Sequence, residues 1–141
     1  MEVEELFEAS SPLARHVRER GGDPIEAARD VVDVLSEAEK VATLNAHPRI
    51  GERRNLSERS RREQGSEEDP AVMAELERLN AEYERKFGFR FVVFVNQRPR
   101  STILEVLRER LDRDRAVEMR EGLNAIIAIA EDRWNSRLKS L

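Results

Sequence analysis

Only one stretch of this chain, Phe89-Arg-Phe-Val-Val-Phe-Val95, reads as a strand: it is rich in β-branched and aromatic residues and too short to be a helix. No second comparable run exists in the 141 residues. A lone strand leaves its backbone N–H and C=O groups without partners, so this chain cannot build a sheet from its own strands. Two arrangements stay open. The run is an extended buried segment inside a helical domain, or it pairs with its own copy across a dimer axis. Aromatics make up 5% of the chain, and 6 Gly with 5 Pro are few for a protein of strands and tight turns. The expectation is an all-α fold: one helical bundle over residues 1–141, with an extended buried segment near 89–95, in a chain long enough for a single core.

The helix starts are well punctuated. Ser11-Pro12, Asp23-Pro24 and Asp69-Pro70 each put a capping oxygen before a proline at the first helical position, where the missing N–H costs nothing. Behind Asp23, Ile25, Ala28, Val32 and Leu35 recur at steps of three and four, predicting a helix that ends near Ser36. Ser36-Glu37-Ala38-Glu39 reads as a capping box opening a helix through Val41 and Leu44. Pro48 should stop it, leaving His47 at its end with the ring facing outward. The stripe Val72, Leu76, Leu79, Tyr83 and Phe87 runs into Gly88, a good residue just past a helix end. Thr102-Ile-Leu-Glu105 reads as a capped start of a helix through Leu111. From about Asp114 a last helix should present Met119, Leu123, Ile126, Ala130, Trp134 and Leu138 on one stripe.

Charge narrows the partners. The 25 basic and 29 acidic residues give a net charge of −4, without the positive footprint that phosphate backbones need, so no nucleic-acid partner is expected. With 22 Arg and 3 Lys, the arginine excess reads more simply as a coding bias than as 22 separate chemical needs. The absence of cysteine removes thiolate nucleophiles and cysteine-ligated zinc, and with only two well-separated histidines besides, a zinc site is improbable and no metal is expected. No apolar run approaches 18 residues and the acidic start MEVEELFEAS carries no apolar core, so neither a membrane span nor a signal peptide is expected and the location should be cytoplasmic, or an organelle reached by another route.

Among residues suited to chemistry His47 stands first, because an imidazole with an ordinary pKa near 6.5 moves protons at neutral pH. The plainer reading is a histidine that only meets a helix end. Ser60, Glu63 and Gln64 fall at i, i+3 and i+4; on a helix they share one face offering a hydroxyl, a carboxylate and an amide, and off it they are a solvated turn among arginines. Arg133 sits close to the buried stripe of the last helix, where a guanidinium is costly unless it meets an anion, either protein or ligand. His16, in the polar HVRER segment, reads as surface.

LNAHPRIG at 44–51, S-x-x-E-Q at 60–64, LNAEYERKFGFRFVVFV at 79–95 and IAEDRW at 129–134, in that order, resemble the 2-oxo-4-hydroxy-4-carboxy-5-ureidoimidazoline decarboxylase family. SSPLARHV is similar to the family's Ser-Pro-Trp segment, with Leu13 in place of the Trp. The resemblance implies a cofactor-free, all-α enzyme that completes the conversion of urate to S-allantoin by decarboxylating a small molecule. His47 would be catalytic with Glu63 and Arg133, and Pro48, Ser60, Gln64 and Val93 would bind substrate, Val93 through backbone groups. The family is often dimeric, which fits the unpaired run. This chain departs from the family pattern at Arg90, where proline is usual, and in the shortened loop GSEEDP after Gln64. The alternatives are therefore a divergent member acting on another small heterocyclic acid, or a non-catalytic helical interaction module whose pocket Arg90 blocks.

Overall fold

A computed structural model describes residues 2–50 and 69–137. These form α1 (Val3–Leu6), α2 (Pro12–Arg20), α3 (Pro24–Val32), α4 (Glu37–Ala46), α5 (Pro70–Phe87), α6 (Arg100–Arg110) and α7 (Arg115–Ser136). The expected caps are made by side-chain oxygens. Ser11 accepts from the Ala14 N–H, Asp23 from Ile25 and Glu26, Asp69 from Ala71, and Ser36 and Glu39 close a reciprocal box. Gly88 ends α5 at φ 81°, a left-handed conformation open to glycine without Cβ strain.

Two boundaries differ from the sequence reading. α3 stops at Val32, because Ser36 already caps α4 and the intervening turn leaves Val34 78% exposed. α6 starts at Arg100, two residues before Thr102. Pro99 bars Arg98 from the helical region and offers its own carbonyl to the Thr102 and Ile103 N–H groups, so the Thr102 box is not used. α1 was not legible at all. Four residues are too few to show a period, and the helix owes its place to tertiary contact, with Leu6 and Phe7 fully buried.

α7 is the central post, packed against α1, α3 and α4, while α2 crosses α3 and α4 and α5 pairs with α6. Gly122 lets α4 come close to α7: a Cβ there would stand 2.7 Å from a methyl of the buried Leu44. The stripe of α7 buries Met119, Leu123, Ile126 and Ala130 as expected, but Trp134 is half-buried and Leu138 lies outside the described residues. His16, read as plain surface, bonds the Glu39 carboxylate at 2.9 Å and ties α2 to α4. That hydrogen bond, more than any other contact, pulls the Glu39 carboxyl down to about 2.

Residues 89–95 are extended, buried at Phe89, Phe91, Val92 and Val95, and paired with no strand among the described residues. Side chains meet part of their backbone instead. Asn45 accepts from the Arg90 N–H, Arg110 donates to the Val92 carbonyl at 2.8 Å, and Arg98 donates to the carbonyls of Phe94 and Val95. Three polar side chains thus do what a neighbouring strand would do, which is the first of the two arrangements left open by the sequence. No described helix is long and apolar enough to cross a membrane.

Candidate active site

α4 delivers His47. Its backbone leaves the helix at φ −77°, ψ 138°, as the residue before a proline must, and its N–H still reaches the Leu44 carbonyl at 3.2 Å. The ring does not face outward as expected: half-buried, it borders a cavity between α1, α2, α4 and α7. Leu6 and Phe7 wall one side and Ile126 and Ile129 another. The α1 segment that covers this face is too short to show a period in the sequence, so the ring's direction does not follow from the residues around His47.

Arg133 enters the same cavity from α7 and is buried. Glu131, the acidic residue two positions before it, is paired with Arg29. Arg133 instead donates through Nη1 to the carbonyls of Leu6 at 3.0 Å and Glu5 at 3.4 Å, closing the C-terminal end of α1 onto α7. A cation at those carbonyls is favoured by the helix dipole as well as by the hydrogen bonds.

Burial lowers the His47 pKa from 6.5 to about 4, with the positive charges of Arg133 and then Arg90 pushing the same way. All three effects disfavour imidazolium, so at neutral pH the ring is uncharged and can accept a proton. Neither ring nitrogen has a hydrogen-bond partner among the described residues. The imidazole is thus uncharged and open on a cavity beside a buried cation, an arrangement in which it can take up a proton.

Three polar residues that the sequence did not single out for the site also line it: Glu8, Ser11 and Thr43. Thr43 was findable, since it lies four residues before His47 on the same helix face. Its Oγ1 accepts the Leu13 N–H at 3.3 Å. Ser11 caps α2 and also donates to the Glu8 carbonyl at 2.8 Å, which fixes the turn that carries Glu8. Ser11→Ala should cost about 1–2 kcal/mol in urea unfolding, the usual loss for an N-cap hydroxyl.

Of the other expected site residues, Pro48 and Val93 are half-buried, Val93 against the core, and neither lines this cavity. Ser60, Glu63 and Gln64 lie outside the described residues. No group of three or more His, Asp or Glu side chains placed to hold a metal ion occurs among the described residues.

The family model for OHCU decarboxylase matches residues 2–135. A 2-oxo-4-hydroxy-4-carboxy-5-ureidoimidazoline decarboxylase of Haloferax volcanii is 31% identical over 96% of this chain and 86% of its own length. One from Halalkalicoccus jeotgali is 32% identical over 74% of this chain, a match that spans 62% of that relative. A crystal structure of OHCU decarboxylase in the presence of (S)-allantoin matches with a TM-score of 0.73, at 25% identity and over 89% of each chain. With the shared helical architecture, these matches settle the family: the chain belongs to the OHCU decarboxylases.

Proposed function

We infer that this chain is a cofactor-free carboxy-lyase of urate degradation, which decarboxylates 2-oxo-4-hydroxy-4-carboxy-5-ureidoimidazoline to (S)-allantoin. The observation that carries this reading is the meeting of an uncharged His47 and a buried Arg133 in one cavity of a fold shared with the family's decarboxylases. That convergence favours an enzyme over a helical interaction module.

The chemistry needs little more. When the C–C bond to the carboxylate breaks, CO₂ leaves and the electron pair passes into the ring, where the adjoining C=N takes it up as its nitrogen gains a proton from solvent. The enol so formed becomes the ring carbonyl as its hydroxyl gives up a proton and the former imine carbon gains one on a single face, which sets the S centre. The substrate itself is the electron sink, so the protein has only to bind, orient and move protons. His47 is the acid/base group: uncharged at neutral pH, it accepts a proton from the substrate and returns it to the ring. Arg133 holds an anionic or carbonyl oxygen of the substrate. Glu63 orients His47 or the ureido group, Ser60 and Gln64 fix the planar ring by hydrogen bonds, and Pro48 and the Val93 backbone complete the substrate contacts.

Circular dichroism tests this directly. Freshly generated urate-oxidation intermediate decays spontaneously to racemic allantoin, so a fast-growing (S)-allantoin signal on adding the protein is the expected result. Racemic product at the uncatalysed rate would overturn the assignment. On the family resemblance we also propose a cytoplasmic enzyme working as a homodimer. Light scattering of the purified protein should give twice the chain mass.

A further inference from the structure

Arg90 stands in the extended segment but does its bonding at the end of α4. Its guanidinium Nη1 donates to the His47 carbonyl at 3.0 Å, and its own N–H donates to Asn45 Oδ1 at 3.0 Å. Two bonds from one residue therefore fasten the extended segment to the last turn of the helix that carries His47. Through the bond to the His47 carbonyl the guanidinium stands beside the C-terminal end of α4. Without a cation there, the dipole would favour a positive charge on the imidazole that caps the same helix.

We propose that Arg90 is a positioning residue for the reaction: it locks the end of α4 against the extended segment and sets its own cation beside the helix end from which the His47 imidazole enters the cavity. The proposal rests on the decarboxylase reading for its link to turnover. The described charged groups at His47 are Arg133 from α7, Glu8 from the turn after α1, and Arg90. Next along the chain, Arg49 is held in a bidentate pair with Glu84, with N–O distances of 2.8 and 3.0 Å. Arg133 and Arg90 both push the imidazole toward its uncharged state, and Arg90 is the one that touches no other wall of the cavity. It can be changed without opening the Arg133 clamp on α1. A plain helix-end cap is the competing role for Arg90, and it would give stability but no effect on His47 titration.

The test compares Arg90→Met, which keeps the stem and removes charge and donors, with Arg90→Lys, which keeps the charge. The chain has two histidines, so the imidazole C–H resonances can be followed one by one by NMR across pH. In Arg90→Met the His47 midpoint should rise by about half a pH unit or more, since a like charge is gone and the helix end is uncovered. In Arg90→Lys it should stay near that of the unmodified chain. The acid limb of kcat/KM should move with it in the same direction. An unmoved His47 midpoint in a folded Arg90→Met protein would overturn the proposal and leave Arg90 a cap. A moved midpoint with an unmoved acid limb would overturn Arg90's role in turnover by showing that His47 is not the titrating group of the reaction. Absence of any decarboxylation by the unmodified chain would instead refute the decarboxylase reading, and the role in turnover with it.

Discussion

Replacing His47 with alanine is expected to slow decarboxylation by about 10²- to 10⁴-fold, the usual contribution of one acid/base side chain, while leaving the helical fold in place. The fold should survive because the helix end is secured by backbone and by Arg90, not by the ring. The same variant has a signature in stability. With a folded-state pKa of about 4 against an ordinary 6.5, His47 takes up a proton in the unfolded chain before the folded one as pH falls. Folding is therefore penalised progressively between about pH 6.5 and pH 4, by up to roughly 3 kcal/mol for a shift of this size. Above pH 6.5 both states are uncharged and the penalty is zero. His47→Ala removes it, so urea midpoints of the variant should fall less than those of the parent as pH drops through that window. Retained turnover in a folded variant would sink the catalytic role, and parallel pH curves would sink the buried, uncharged ring.

What could be read from the sequence followed local rules. Pro12, Pro24 and Pro70 with their capping residues, the Ser36–Glu39 box and Gly88 mark helix ends because a cap is settled within four residues of chain. Thr102 misled because its box pattern stands three residues after Pro99, and the proline's constraint on the backbone acts first. His47 was legible as a helix end, but its ring direction depends on Leu6 and Phe7, some forty residues away and in a helix too short to show a period. The guanidinium of Arg133 was legible as a buried cation in need of a partner. That the described partners are the main-chain carbonyls of α1 was not, because carbonyls carry no sequence signature. The hardest feature to foresee was a fully buried carboxylate: Glu118 has no local pattern that sets it apart from the other glutamates of α7.

The largest loss of stability is expected from Glu118→Leu, about 3–5 kcal/mol in urea unfolding at pH 7. Glu118 lies on the core face of α7, where its Oε1 accepts from Arg110 Nε and from the Tyr83 hydroxyl, both at 2.7 Å. Arg110 is itself buried, stands 4.7 Å from the Phe91 ring centre, and holds the Val92 carbonyl. Burial, reinforced by the hydrogen bond to Glu118, pushes the Tyr83 hydroxyl up beyond the usual phenol range, so it remains a donor at any working pH. Removing the carboxylate leaves a guanidinium in the core without its counter-charge, and that uncompensated charge dominates the cost. Arg110→Met should cost a similar amount for the opposite charge. The double variant Glu118→Leu/Arg110→Met should then lose clearly less than the two single losses together, because no buried charge is left and apolar side chains of similar volume fill the space. What remains, about 1–3 kcal/mol, is the Val92 carbonyl deprived of its donor and the Tyr83 hydroxyl deprived of its acceptor. Strictly additive losses would mean that the two charges are not an electrostatic pair and that each is held by its own neighbours. The coupling matters beyond stability, since Arg110 at Val92 and Arg90 at His47 grip the same extended segment only two residues apart.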